Sequence, residues 1–170
     1  MNPPEHKYGL LIRRGGELPL SGKVLAELMS SVLARGVPFR FRIKGISMFP
    51  FIKEGDVVTV HDPKKSPLRR GDVIAFLGVR DDKVAVHRIV EKRRDCWLTK
   101  GDNNPEADGL IQKDAVLGCV RKAERRGRRV FLGLGPEKFI IAFLSRTNIF
   151  CGFVYPIISL LVKVFRKPVS

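Results

Sequence analysis

The chain has 170 residues, of which 44% are hydrophobic, and this is enough for a globular domain with a core of its own. It carries 32 lysines and arginines against 17 aspartates and glutamates, so its formal net charge is +15. Such a charge predicts a polyanionic neighbour, either a membrane surface or a nucleic acid. The three cysteines are widely spaced without a Cys-x-x-Cys pair, which speaks against a zinc site or a disulfide framework and favours buried thiols.

Residues 1–37 are predicted to form an N-terminal extension with one amphipathic helix. The first 20 residues are polar and interrupted by Gly and Pro, and we expect them to be loosely ordered. Ser21 is a suitable N-cap for a helix over residues 22–35, and Gly36 is a suitable end. Apolar residues recur on one face at helical spacing: Val24, Leu25, Leu28, Met29, Val32 and Leu33. The helix is too short and too polar to span a membrane, so we expect it to pack on the next domain or on a partner.

Residues 38–133 are predicted to form the main domain, which is mostly β. Seven short stretches have strand-like patterns, and turns rich in Gly, Asp and Pro separate them. The predicted strands cover residues 39–43, 57–60, 73–77, 84–90, 96–99, 116–120 and 129–132. Many short strands at this spacing indicate a folded antiparallel sheet or barrel rather than a parallel sheet.

Residues 134–170 are predicted to form a hydrophobic, basic and helical tail. No acidic residue follows Glu137, and the longest uncharged apolar run, residues 149–162, has 14 residues. As a helix this run would be about 21 Å long, against about 30 Å for the hydrocarbon core of a bilayer. It therefore favours a segment in the membrane interface between flanking cations, with a C-terminal helix pair packed on the domain as the alternative. The basic run at 121–129 is interpreted either as a solvated turn or as a contact with anionic lipid.

Four stretches bring together residues suited to nucleophilic catalysis. They are residues 45–50 (Gly-Ile-Ser-Met-Phe-Pro), 71–76 (Gly-Asp-Val-Ile-Ala-Phe), 86–90 (Val-His-Arg-Ile-Val) and 99–104 (Thr-Lys-Gly-Asp-Asn-Asn). A serine hydroxyl such as that of Ser47 needs a base to take its proton and donors to stabilise the oxyanion. Histidine is the usual base near neutral pH. Of the three histidines, His87 lies within a predicted strand, which would hold a catalytic group rigidly, and His61 lies at the end of another.

These four stretches, in this order and spacing, resemble the conserved boxes of the signal peptidase I family, over residues 39–120. That family shares its fold with the self-cleaving SOS-response repressors, so the resemblance implies a folded antiparallel β-sheet or barrel. It also implies Ser47 as the nucleophile and His87 as the general base, without a metal or an organic cofactor. The sequence His87-Arg88-Ile89 is similar to the histidine-type enzymes of the endoplasmic reticulum and of archaea, whereas the common bacterial enzymes carry lysine at this point.

Two aspartates are candidates to orient the histidine. Both positions match aspartates of the histidine-type enzymes, and the resemblance assigns the charge-relay role to Asp108, with Asp102 as the alternative. An acid at the far ring nitrogen would fix the tautomer of His87 and stabilise the imidazolium. From the residues alone, Asp102 in its Gly-Asp-Asn-Asn stretch is equally suited to forming a turn.

Backbone groups are expected to form the oxyanion hole. Gly45 stands where many signal peptidases carry a serine, and the Gly-x-Ser-Met pattern is similar to that of the SOS repressors. The resemblance therefore implies that the amides of Ile46 and Ser47 form the hole, with Gly45 permitting a tight turn. Met48 is interpreted as lining the substrate groove, and a core position is the alternative.

Three function classes compete. The resemblance favours a serine endopeptidase that cleaves an extended peptide, such as a signal or leader peptide, near a membrane. A self-cleaving regulator like the SOS repressors would need a lysine base and an Ala-Gly or Cys-Gly site before the serine, where this chain has only Ala34-Arg35-Gly36. A non-catalytic basic lipid-binding module is favoured by charge alone. We expect a peptide or protein substrate, a lipid surface, a membrane-associated location and no nucleic-acid partner.

Overall fold

The computed structural model describes residues 9–13, 16–78 and 83–148, with side chains from residue 21 onwards within these ranges. The described residues form ten strands: β1 (Gly9–Arg13), β2 (Gly16–Leu20), β3 (Phe39–Arg42), β4 (Val57–His61), β5 (Val73–Leu77), β6 (Val84–Lys92), β7 (Cys96–Lys100), β8 (Gly109–Gln112), β9 (Val116–Arg125) and β10 (Arg128–Arg129). They also form two α-helices, α1 (Gly22–Ala34) and α2 (Lys138–Arg146), and two single 3-10 turns at Pro63–Lys65 and Lys113–Ala115.

All strand pairs are antiparallel and belong to one sheet. The strand order is β2-β1-β3-β4-β9-β5-β6-β7-β8, and the short β10 pairs with β9. Register shifts interrupt the β4–β9, β5–β9 and β6–β7 pairs, and bulges of this kind bend a strand and increase its twist. The prediction of a mainly β, antiparallel fold is confirmed.

The strand predictions differ from the structure at both ends of the sheet. The hairpin of β1 and β2 extends the sheet at β3, so the expectation of a loosely ordered start is wrong for residues 9–13 and 16–20. The pattern also misses β8, which has only four residues. β9 continues to Arg125 through the basic run, because its backbone pairs with β4 as far as Glu124 and with β10 at Arg125. β10 ends at Arg129, so residues 130–132 of the strand predicted at 129–132 are not in a strand.

α1 packs its apolar face on the sheet. The helix starts after Ser21, whose hydroxyl accepts a hydrogen bond from the Val24 N–H at 3.4 Å. It ends one residue before the predicted end, and Gly36 follows with a φ of +76°, which other residues rarely adopt. The larger hydrophobic cluster joins this helix to the sheet and to the loop after β3: Leu25, Met29, Leu33, Phe39, Phe41, Ile43, Met48, Ile52, Val58, Val60, Val73, Ala75, Val86, Val120 and Ala123.

A second cluster contains side chains from five strands, β5 to β9: Ile74, Phe76, Ile89, Trp97, Ile111 and Val116. Successive side chains of a strand point to opposite faces of the sheet. His87 therefore shares the face of Ile89, and its ring lies 6.0 Å from that of Phe76. Its neighbour Arg88 points to the other face. His87 and Arg88 thus lie on opposite faces of the sheet.

α2 is held to the sheet at both ends. At its first turn, Lys138 donates a hydrogen bond to the Asp72 carboxylate at 2.6 Å. Near its last turn, the buried ammonium group of Lys100 on β7 donates to the carbonyl of Ser145, where a cation complements the helix dipole. Between these ends the helix buries three side chains, Ile141, Ala142 and Ser145.

The apolar run predicted at 149–162 lies outside the described residues. Within the part of the chain that the structure describes, no helix is long and apolar enough to cross a bilayer.

Candidate active site

The loop after β3 presents Ser47 at the surface of the sheet. Gly45 has a φ of +89°, a conformation in which a side chain would be strained, so glycine permits the turn that leads to the serine. The Phe49 N–H donates to the Ile46 carbonyl at 3.0 Å, and the Ile52 N–H donates to the Met48 carbonyl at 3.0 Å. These bonds close two successive turns around Ser47, which is half-buried.

Ser47, His87 and Asp108 form one chain of hydrogen bonds. The Nε2 atom of His87 lies 2.9 Å from the Ser47 hydroxyl, and its Nδ1 atom lies 2.7 Å from the Asp108 carboxylate. With Nδ1 donating its proton to Asp108, Nε2 is free to accept the serine proton. The histidine is only 8% exposed, which shields both bonds from water. The three groups come from a loop, a strand and a turn, and are brought together only by the tertiary fold.

Thr99 is a fourth member of this series of hydrogen bonds, and the sequence patterns do not reveal its role. Its hydroxyl donates to the same Asp108 oxygen that faces His87, at 3.0 Å, and its side chain is fully buried on β7. The Asp108 N–H in turn donates to the Thr99 carbonyl at 2.9 Å. The carboxylate is therefore held in place by side-chain and backbone bonds to one residue. Thr99 begins the Thr-Lys-Gly-Asp-Asn-Asn stretch, but its residue type and its place in a strand do not indicate a bond to Asp108.

Asp102, the alternative orienting acid, does not contact His87 in this structure. Both of its carboxylate oxygens accept hydrogen bonds from Arg88, from Nε at 2.8 Å and from Nη2 at 2.7 Å. Both side chains are fully buried. The Nη1 atom of Arg88 also donates to the carbonyls of Gly71 and Gly133, each at 2.8 Å. Asp102 neutralises a buried guanidinium, which agrees with the turn-forming interpretation rather than with the charge relay.

The turn that carries Asp102 also supports the serine loop. The Asn103 N–H donates to the Ser47 carbonyl at 2.7 Å. A Cβ atom added to Gly101 would lie 2.8 Å from that same carbonyl oxygen, so only glycine lets the two loops approach this closely. The Gly-Asp-Asn-Asn turn, residues 101–104, therefore holds the backbone of the candidate nucleophile in place, and we call it the clamp turn.

The backbone amides of Ile46 and Ser47 are the groups predicted to form the oxyanion hole. Neither N–H group donates to an acceptor within the described part of the chain. The Ile46 side chain is 59% exposed next to the serine.

The position of Met48 agrees with the alternative, a core residue, and not with the prediction that it lines the substrate groove. Its side chain is only 2% exposed and belongs to the large cluster beneath α1. It is a core residue, packed with side chains of α1 and of the sheet. The exposed apolar side chain beside the serine is that of Ile46.

The remaining candidate groups lie elsewhere. His61 is at the end of β4, opposite Cys119 of β9. Burial, together with the nearby Asp72 carboxylate, raises the pKa of the Cys119 thiol to about 12, so it stays protonated and poorly nucleophilic near neutral pH. Cys96 and Cys119 are both free thiols, and Cys151 lies outside the described residues. The described residues hold no cluster of three or more His, Cys, Asp and Glu side chains suited to a metal ion.

The two aspartates should differ sharply in their contribution to stability. Asp102→Asn leaves the guanidinium of Arg88 buried without a counter-charge and should lower the free energy of unfolding by about 3–5 kcal/mol. Asp108→Asn alters a hydrogen bond at a side chain that is 19% exposed, and should cost about 1 kcal/mol. Urea unfolding followed by circular dichroism measures both. Equal losses for the two variants would contradict the assignment of Asp102 to Arg88.

Comparison with known proteins places this chain in a family. Residues 20–120, more than half of the chain, match the Peptidase S24-like family. The signal peptidase complex catalytic subunit SEC11C of Homo sapiens is 28% identical over 88 residues, and those of Mus musculus and Canis lupus familiaris match equally. Each match covers 44% of this chain and 46% of the relative, so the chain spans about half the length of these curated relatives. The chain belongs to the Peptidase S24-like family, as a member similar to signal peptidase.

Proposed function

We propose that this protein is a serine endopeptidase that cleaves an extended peptide, with Ser47 as nucleophile, His87 as general base and Asp108 as the orienting acid. The observation that carries the proposal is the continuous hydrogen-bonded chain between these three side chains, at 2.9 and 2.7 Å. Catalytic geometry of this kind is recognised by the roles of the groups rather than by their order in the chain.

The reaction would proceed in two steps, acylation of Ser47 and hydrolysis of the acyl-enzyme. Nε2 of His87 accepts the proton of Ser47 as the serine oxygen attacks the scissile carbonyl, while Asp108 stabilises the imidazolium. The amides of Ile46 and Ser47 donate to the oxyanion of the tetrahedral intermediate. The imidazolium then gives its proton to the leaving amine, and an acyl-enzyme remains. Water gives a proton to the same histidine as it attacks this ester, and the imidazolium returns that proton to the departing serine oxygen, which releases the new carboxylic acid, to ionise in solvent, and restores the free serine.

An open strand edge supports an extended substrate. β6 pairs with β5 from Val84 to Arg88, but with β7 only from Arg88 onwards. The other edge of residues 84–87 has no strand partner among the described residues, and it leads directly to His87. A peptide added here as a further strand would gain backbone hydrogen bonds and carry its scissile carbonyl towards Ser47.

The relatives point to the class of peptide. SEC11C is named as the catalytic subunit of a signal peptidase complex. We infer from this likeness and from the charge of +15 that the substrate is a signal or leader peptide presented near a membrane.

The two competing functions fit the contacts less well. Self-cleavage at 34–36 would have to open the C-terminal end of α1, whose last residue is Ala34 and whose buried face includes Leu33. A purely lipid-binding module gives no reason for Ser47, His87 and Asp108 to be hydrogen-bonded in series.

Removing the nucleophile or the base should abolish cleavage. Ser47→Ala and His87→Ala should each lower kcat by about 10⁴–10⁶-fold, and the double variant should lose scarcely more, because the two side chains act as one unit. The assay is cleavage of peptides with small residues before the scissile bond. Undiminished cleavage by the Ser47→Ala protein would rule out the mechanism.

Thr99 should act through Asp108. Thr99→Val keeps the shape of the side chain but removes the hydroxyl, so kcat should fall by about tenfold or less, the worth of one hydrogen bond, with KM unchanged. Thr99→Ser restores the donor and should restore kcat. Steady-state kinetics with matched unfolding curves separate this effect from lost stability. A serine variant as impaired as the valine variant would contradict the role of the hydroxyl.

The strand-addition mode can be tested on the substrate. Single N-methylation along a cleaved peptide removes one amide donor at a time, and alternate positions of a pairing strand should be sensitive. We expect KM to rise about fivefold to tenfold at every second residue before the scissile bond, for the loss of one hydrogen bond each. Uniform insensitivity would exclude pairing along the edge at residues 84–87.

A further inference from the structure

Exposed apolar side chains are concentrated in one short part of the chain. Nine large hydrophobic side chains are exposed among those described, and five of them lie between residues 131 and 143. We call these five the apolar face: Phe131 (76% exposed), Leu132 (61%), Phe139 (45%), Ile140 (65%) and Phe143 (55%). Scattered exposed hydrophobics are ordinary, but a cluster of this kind indicates a binding surface.

The two parts of the apolar face are held together by a tight turn. The carboxylate of Glu137 accepts hydrogen bonds from the N–H groups of Gly133 and Gly135, at 2.7 and 2.9 Å. This turn connects the Phe131–Leu132 pair to the start of α2. On the helix, Phe139, Ile140 and Phe143 recur at helical spacing, opposite the side chains that α2 buries against the sheet.

Each aromatic ring of the apolar face has a cation beside it. Arg129 lies 5.6 Å from the ring centre of Phe131, Lys138 lies 5.4 Å from that of Phe139, and Arg70 lies 5.9 Å from that of Phe143: Arg129, Lys138 and Arg70 form the cationic border of the face. Lys138 is neutralised by Asp72. The two arginines form no ion pair with a carboxylate among the described residues.

We propose that the apolar face is a lipid-contact surface of the folded domain, which inserts its rings into the boundary of an anionic bilayer while the bordering arginines bind lipid phosphates. The apolar side chains would contact the acyl chains of such an interface, and the unneutralised cations beside them would contact the anionic headgroups. The phosphates of a nucleic acid could bind the arginines, but a nucleic acid would leave the side chains of Leu132 and Ile140 exposed to water. The proposal does not depend on the peptidase activity.

The chain that follows supports lipid over a protein partner. α2 ends at Arg146, and residues 149–170 are rich in Phe, Ile, Leu and Val, with three basic residues and no acidic one. The apolar face therefore leads directly into a second stretch of the same chemistry. A lipid surface can receive both, and the cations of both parts would meet the same anionic headgroups.

The first experiment measures contact at the apolar face itself. Full-length Phe139→Trp and Val24→Trp proteins are bound to vesicles of three parts brominated phosphatidylcholine and one part phosphatidylglycerol. The two sites have matched exposure, 45% and 47%, and the native Trp97, which is 4% exposed, gives the same background in both. Fluorescence should be quenched severalfold in Phe139→Trp and should stay near the background in Val24→Trp. Vesicle-bound protein with equal quenching at both sites would overturn the proposal.

The second experiment tests the cationic border. Arg129→Gln should weaken binding to the anionic vesicles about fivefold, equivalent to about 1 kcal/mol, and should leave binding to pure phosphatidylcholine unchanged. Arg35→Gln, at an exposed position after α1, is the control and should change neither. A protein that binds no vesicles, or an Arg129→Gln protein that binds as before, would overturn the lipid assignment. Size-exclusion chromatography would then test a second copy of the chain as the occupant.

Discussion

The buried ion pair of Arg88 and Asp102 is the interaction on which the candidate site depends. A guanidinium and a carboxylate with no exposure to solvent are costly to bury, and they are tolerated only when geometry and further hydrogen bonds are good. Here the pair is bidentate, and the remaining Nη1 donor binds two carbonyls, those of Gly71 and Gly133. One side chain therefore connects β6 to three separate turns. An apolar replacement could fill the same volume, but it could not fix the directions of these four contacts.

Two neighbouring residues of β6 have different roles in this arrangement: Arg88 supports the fold, and His87 is the candidate general base. Arg88 points to one face and anchors the clamp turn, whose Asn103 holds the Ser47 backbone. His87 points to the other face and reaches the Ser47 hydroxyl. The positions of the candidate nucleophile and of its base are thus set from the same strand, one through the backbone and the other through a side chain. A shift of β6 by one residue would exchange the two faces and separate both contacts.

Sequence patterns predicted the groups of this site better than the contacts between them. The alternation of apolar residues in β5 and β6 predicts these two strands, and the resemblance to signal peptidase I implies the pairing of Ser47 with His87. The roles of the two aspartates could not be separated, because Gly-Asp-Asn-Asn has the chemistry of a turn whichever acid faces the histidine. A charged residue inside an apolar strand, as at Arg88, does signal a buried partner. The burial of Met48 and the hydroxyl of Thr99 depend on packing between distant segments, which no local pattern contains.

The same contacts that order the site also set its orientation to the proposed lipid surface. α2 carries three members of the apolar face, and it is tied to Asp72 just before β5 and to Lys100 at the end of β7. Arg88 binds the carbonyl of Gly133, at the turn between Leu132 and the helix. Lys100 directly follows Thr99, whose hydroxyl holds Asp108. A bilayer that receives the apolar face would therefore meet the candidate active site at a fixed height and angle, because the elements proposed to contact lipid are bonded to the strands that carry the candidate catalytic residues. A peptide emerging from the membrane would then reach the open edge of β6 as an extended chain, the conformation that strand addition requires.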